Sequence, residues 1–188
     1  MISTVPPTTL DDNRIIYMHG NFNEDKAKEI ITKLLQLEAH DPTKDILMII
    51  DSYGGHVHSL LAIHDIIKYI LRCDVATLAI GKTMSCGQML LMSGTKGKRF
   101  VTPNTSVLIH EINSGTFGKL REMENDLTES KRLQSIFSNM IVKYSNISKT
   151  KLKEILAKDY YMSANEAITL GVADFVVNKP KELYGKLK

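Results

Sequence analysis

The chain has 188 residues, 24 of them basic and 21 acidic, and its net charge of +3 is spread along its length, which gives no electrostatic footprint for nucleic acid. Hydrophobic residues at 43% and charged residues at 24% mark a globular chain able to bury a full core, and exclude intrinsic disorder. At about 150 residues per domain, the length predicts one domain, residues 14–188, with a short N-terminal arm over residues 1–13.

The two cysteines, Cys73 and Cys86, form no CxxC pair, so neither a disulfide scaffold nor a structural zinc site is supported. A reducing, cytoplasmic location is expected. The segment Met1-Ile-Ser-Thr-Val-Pro-Pro7 has no basic region followed by an apolar one. No later stretch reaches the roughly 18 apolar residues of a membrane span, so neither export nor membrane insertion is expected.

In chain order, Pro6-Pro7 and Asp11-Asp12 read as an extended arm. A short strand follows from Arg14 to Met18, ended by Gly20. Asn23 is a good N-cap for a helix with Ala27, Ile30, Ile31, Leu34 and Leu37 at helical spacing, and Asp41-Pro42 stops it. Ile46-Leu-Met-Ile-Ile50 is a continuous apolar run, as expected of a strand covered on both faces, and it leads directly into Asp51-Ser-Tyr-Gly-Gly55. Next come a helix carrying Leu60 to Leu71, a strand over 75–80, a tight segment Gly81-Lys-Thr-Met84, and a helix from about Ser85 to Met92. Alternating strands and helices predict an α/β fold. Short strands over 98–101 and 106–110 precede a long helix over about 120–144. That helix is apolar at its far end too, which predicts packing outside its own core. Helices near 149–157 and 163–170, the latter capped by Gly171, and a strand over 173–177 complete the reading.

Three features could carry chemistry. Ser85 stands where a strand, a turn and a new helix meet, at the helix's positive end, with the N–H of Cys86 close by. Gly54-Gly55 lets backbone approach a ligand closely. His110, at a strand end, could act as a general base. The acids available to orient it are Asp51, Asp65, Asp74, Asp159 and Asp174, and spacing does not choose among them. Serine is also a common N-cap, paired glycines often form only a tight turn, and a strand histidine can be purely structural. His56, His58 and His64 offer an H-x-H with a later histidine, but no further metal ligand at a secure spacing. Cys86 could itself be imagined as a nucleophile, although a small buried thiol explains it adequately.

Read together, four segments resemble the ordered motifs of the ClpP family, the proteolytic subunits of the Clp protease. They are Asp51-Ser-Tyr-Gly-Gly55, Gly81-Lys-Thr-Met-Ser-Cys-Gly-Gln88, Gly97-Lys-Arg-Phe-Val-Thr-Pro-Asn-Thr-Ser-Val-Leu-Ile-His110 and Asp159-Tyr-Tyr-Met-Ser-Ala-Asn-Glu-Ala-Ile-Thr-Leu-Gly-Val-Ala-Asp174. The resemblance runs from about Arg14 to Val177 and implies a crotonase-like ClpP fold, a repeated βα spiral with a projecting handle helix over about 120–144. It implies an ATP-dependent Clp protease subunit, a serine endopeptidase in which Ser85 is the nucleophile, His110 the base, Asp159 the orienting acid, and the backbone N–H groups of Gly55 and Cys86 the oxyanion hole. It further implies a homo-oligomer of two stacked heptameric rings, a tetradecamer that admits unfolded proteins and small peptides. Unfolding would fall to a partner AAA+ Clp ATPase, and the subunit itself would need no metal or other cofactor.

The chain departs from the family pattern in places. Its arm before Arg14 is shorter than the family's N-terminal segment, which leaves coupling to the ATPase open. Leu47 and Ile49 stand where aromatics are common, and Tyr53 where proline is usual. Two other readings share the motifs: an inactive ring subunit, and an acyl-CoA hydratase or isomerase of the wider crotonase fold, which needs no serine and histidine pair.

Overall fold

The computed structural model describes residues 14–188, so the predicted arm over residues 1–13 lies outside the described residues. Strand β1 (Ile15–Phe22) leads to helix α1 (Glu24–His40), where the Asn23 side chain accepts from the Lys26 N–H and caps the first turn. Strand β2 (Ile46–Gly55), helix α2 (Val57–Asp65) with a π-helical turn over Ile66–Ile70, strand β3 (Val75–Met84) and helix α3 (Cys86–Ser93) continue the alternation. Strands β4 (Arg99–Val101) and β5 (Ser106–Ile109) precede the long helix α4 (Leu120–Tyr144). After it come α5 (Lys149–Leu156), β6 (Tyr160–Met162), α6 (Ala164–Thr169), β7 (Phe175–Val176) and α7 (Pro180–Tyr184).

The strands form one mostly parallel sheet in the order β1-β2-β3-β4-β7, with β5 branching from β3 and β6 pairing antiparallel with β5. This is the α/β arrangement the alternating pattern predicts, and it is consistent with a ClpP fold. Met48 and Ile50 of β2 point into the main core with Ile16, Ile30, Leu34, Leu60 and Ile63, whereas Leu47 joins Ala76, Leu78, Phe100 and Leu183 in a smaller cluster on the other face. Both faces of β2 are therefore covered, which is why its sequence is apolar without alternation. Each such fully buried aliphatic side chain contributes roughly 1.5–3 kcal/mol.

Three strand boundaries differ from the predicted ones, each for a backbone reason. β1 does not stop at Gly20 but continues to Phe22, because Gly20 takes φ +82° at an irregularity in the register between His19 and Asn21. β2 runs through Gly55. β3 runs past Gly81, whose φ of +52° turns the strand between two neighbours, so that Thr77–Ala79 pair with β4 and Lys82–Met84 pair with β5. The expected tight segment is thus a bend within a strand, and that bend delivers Ser85 beside β5.

The predicted long helix is present, but its two halves differ. Leu133, Phe137, Met140 and Ile141 are buried in the main core, whereas Leu120 and Leu127 are 72% and 52% exposed.

A buried ion pair ties the far end of the sheet together. Arg99, 1% exposed, makes a two-point contact with Asp174 through Nε (2.9 Å) and Nη2 (2.7 Å), and donates to the carbonyls of Tyr144 (2.7 Å) and Gly171 (2.9 Å). Burial pushes the Asp174 carboxyl up, but its bonds to Arg99, Lys96 and the Gly97 N–H outweigh that and hold it at about 2.

Candidate active site

Ser85 joins β3 to α3 with φ +52° and ψ −120°, a left-handed backbone that a non-glycine residue seldom adopts. The strand-to-helix turn is therefore sharp. Its N–H donates to the Leu108 carbonyl of β5 (3.1 Å), and its side chain makes no capping bond to α3. Ser85 therefore does not act as a side-chain N-cap of α3. Cys86 is the first helical residue, so its N–H has no acceptor within the helix.

The paired glycines lie against that turn. A Cβ added at Gly54 would fall 2.8 Å from the Ser85 Cβ and 3.2 Å from the Cys86 nitrogen, and one added at Gly55 would collide with the Phe22 backbone of β1. Both have positive φ, +113° and +143°, so no other residue fits on grounds of space or of conformation. Ser52, fully buried, holds this segment by donating to the Gly20 carbonyl and accepting from the Gly54 N–H (3.0 Å). Gly87 lets α3 sit on β2, since a Cβ there would be 3.1 Å from the Ser52 carbonyl oxygen. Sequence reading passed over Ser52 and Gly87, although both lie inside the motifs that were singled out.

His110 follows β5, and the β5–β6 ladder brings an acid to it. With Ile109 opposite Tyr160 in an antiparallel pair, the next residue on one strand meets the preceding one on the other, so His110 faces Asp159. The His110 Nδ1 lies 3.8 Å from the Asp159 Oδ1, with the Asp159 side chain 61% exposed. That separation is an ion-pair distance, longer than a hydrogen bond. Among the described residues, no other acid comes within 4 Å of His110. Asp51 is engaged by Lys82 (2.7 Å) and His19 (3.1 Å), Asp74 by Lys98 (2.8 Å), and Asp174 by Arg99. Strand β6, absent from the predicted elements because three residues carry too little pattern, is what brings Asp159 beside His110. Beyond His110 the chain runs back along α4, where the Ile112 N–H donates to the Gln134 Oε1 (2.8 Å).

Ser85 and His110 line one cavity of about 250 Å³, together with Gly55, Tyr53, Val57, Met89, Ile112, Phe137 and Ile141. Gln88 and Asn113 also line it, so polar and apolar groups are mixed around the nucleophile and base candidates. A larger concavity of about 860 Å³ lies around Arg14, Leu37, Lys44 and Leu187, but it is lined by no serine or cysteine. The family model of the Clp protease matches residues 4–180. The chain belongs to the Clp protease family. Membership makes it a ClpP-type peptidase, and members of the family generally form oligomeric rings.

The competing candidates separate in space. Within this Clp protease chain, the Cys86 thiol is buried and donates to the Gly55 carbonyl (3.2 Å), and burial pushes it up to about 11, so little thiolate exists at neutral pH. His56 precedes α2, His58 lies 3.9 Å from Glu129, and His64 is turned into the core against Ser93 (2.8 Å). No group of three His, Cys, Asp or Glu side chains placed to hold a metal occurs among the described residues. Nor is any helix among them long and apolar enough to cross a membrane.

Proposed function

We propose that this chain hydrolyses peptide bonds by acyl transfer through Ser85, with His110 as general base and acid and Asp159 orienting the imidazole. One observation carries this reading: a serine on a strained strand-to-helix turn shares a small cavity with a histidine that has a single acid at hand among the described residues. His110 takes the Ser85 proton as Oγ attacks the substrate carbonyl. The oxyanion that forms is met by the N–H groups of Gly55 and Cys86, and His110 then protonates the leaving amine. Water repeats the sequence on the acyl-enzyme and returns Ser85. The 3.8 Å between His110 and Asp159 must shorten by about 1 Å for a hydrogen bond, the kind of tightening that accompanies substrate or assembly.

The rest of the reading concerns assembly. Phe117 just ahead of α4, and Leu120 and Leu127 on its N-terminal half, leave apolar surface, and this half serves as the handle by which two heptameric rings stack around a chamber. Substrates are unfolded chains and small peptides, and a AAA+ Clp ATPase is the partner that would supply unfolded chains.

A fluorophosphonate probe tests the chemistry. Intact mass should show one adduct per chain on the wild type and none on Ser85→Ala, with peptide turnover lost in parallel. A ring-sized, well-folded wild type that takes no adduct would instead make this a silent ring subunit.

A further inference from the structure

Away from the Ser85 cavity, a groove of about 490 Å³ runs between α2, its π-helical extension and α4, with Leu61, His64, Tyr69, Ile136, Met140 and Tyr144 among its lining. Asp65, Asn139, Lys143 and Arg132, the last paired with Glu129 (2.7 Å), also line it, and among these groups is one nearly buried imidazole. His64 is only 3% exposed. Its Nδ1 lies 2.8 Å from the Ser93 Oγ, and the Ser93 hydroxyl donates to the Met89 carbonyl (2.8 Å). The Ser93 oxygen therefore accepts from His64, which places the ring proton on Nδ1 and leaves Nε2 as a bare acceptor.

No described residue donates to that Nε2, yet it is not sealed from solvent as a buried unpaired atom would be. It is the edge of the ring that reaches the groove. Tyr144 and Tyr69 flank the imidazole, with centroids 5.6 and 6.3 Å away. The cations nearby are already committed: Lys68 donates to the Gly94 carbonyl (3.0 Å), and both Lys68 and Lys143 sit over the Tyr144 ring at 4.9 and 5.0 Å. Burial, with Lys68 adding to it, lowers His64 to about 4, so the ring stays neutral at ordinary pH and cannot donate from Nε2.

We propose that this groove binds a small, flat aromatic molecule bearing one N–H or O–H donor, of the indole or phenol type, with the donor on His64 Nε2 and the ring against Tyr69, Tyr144 and Ile136. An anion on Nε2 is disfavoured because it would face a lone pair, and the cations that line the groove are engaged elsewhere, Arg132 by Glu129 and Lys143 by the Tyr144 ring. A purely apolar ring is disfavoured because it would cover Nε2 and leave it unpaired. The donor is thus what the groove selects.

The test uses indole and N-methylindole as probes on the assembled protein. The chain contains no tryptophan, so indole fluorescence can be excited apart from the protein's own, and its anisotropy reports binding independently of any peptidase activity. Indole should bind the wild type at least tenfold more tightly than N-methylindole. That preference should disappear in His64→Leu, and Ile136→Tyr, which fills the groove without touching His64, should weaken both probes. Equal affinity of the two probes for the wild type, or no binding of either, would overturn the proposal, and this comparison stands even if His64→Leu fails to fold.

Discussion

At the scale of single residues, the site depends on atoms that are missing. Gly54 and Gly55 look interchangeable in sequence, but the structure gives them different neighbours. An added methyl at Gly54 presses on the Ser85 Cβ, whereas one at Gly55 collides with the β1 backbone at Phe22. Gly54→Ala is therefore expected to lose most peptide turnover while keeping a cooperative melt. Gly55→Ala is expected to lose several kcal/mol of stability as well. Equal melting temperatures for the two variants would show that β1 yields more easily than its pairing implies. Cys86 gives the opposite expectation. Its thiol packs and donates to a carbonyl, and burial holds it protonated, so Cys86→Ala should retain most turnover at a cost of about 1 kcal/mol in a denaturant melt. Near-total loss of turnover would assign the sulfur a part in the chemistry.

At the scale of elements, Arg99 is the joint between β4, the end of α4 and the turn after α6. Its guanidinium is satisfied on every side and almost wholly buried, which is tolerable only while Asp174 carries its charge. Asp174→Asn should cost about 3 kcal/mol. The pH dependence follows from the direction of the shift. Asp174 is held at about 2 in the fold against 3.8 normally, so the folded state binds fewer protons than the unfolded state between those values. The stabilisation is complete above about 4 and is lost as pH falls through about 2. Acid titration of the melting temperature should therefore show a shallower low-pH limb in Asp174→Asn than in the wild type; superimposable limbs would remove Asp174 from the acid response.

At the scale of the whole molecule, α4 belongs to two environments. Its C-terminal half contributes Leu133, Phe137, Met140 and Ile141 to the core, while Leu120 and Leu127 meet solvent in the single chain. Exposed leucines on a helix whose other half is anchored are what a ring-stacking handle would require. The paired change Leu120→Asp with Leu127→Asp should leave the circular dichroism unchanged and reduce the native mass from stacked rings to single rings. Retention of the double-ring mass would move the ring-stacking surface elsewhere.

The amino-acid sequence by itself determined the alternation of strands and helices, the strand buried on both faces, the long helix and the Clp protease family. These are local signals: periodicity, caps and contiguous motifs survive without knowledge of what lies opposite. It also nominated Ser85, Gly55, Cys86 and His110, because each stands at a junction of elements. Residue spacing left five acids open and the family motifs pointed to Asp159; only the tertiary structure shows that it is the acid lying beside His110 among the described residues. That placement depends on the antiparallel pairing of a three-residue strand with β5, while Asp51, Asp74 and Asp174 are taken by basic partners far away in sequence. The bend at Gly81, the strain at Ser85 and the free Nε2 of His64 were illegible for the same reason. Each is set by a neighbour twenty or more residues away or by the closing of the sheet, and no local pattern encodes the position of such a neighbour.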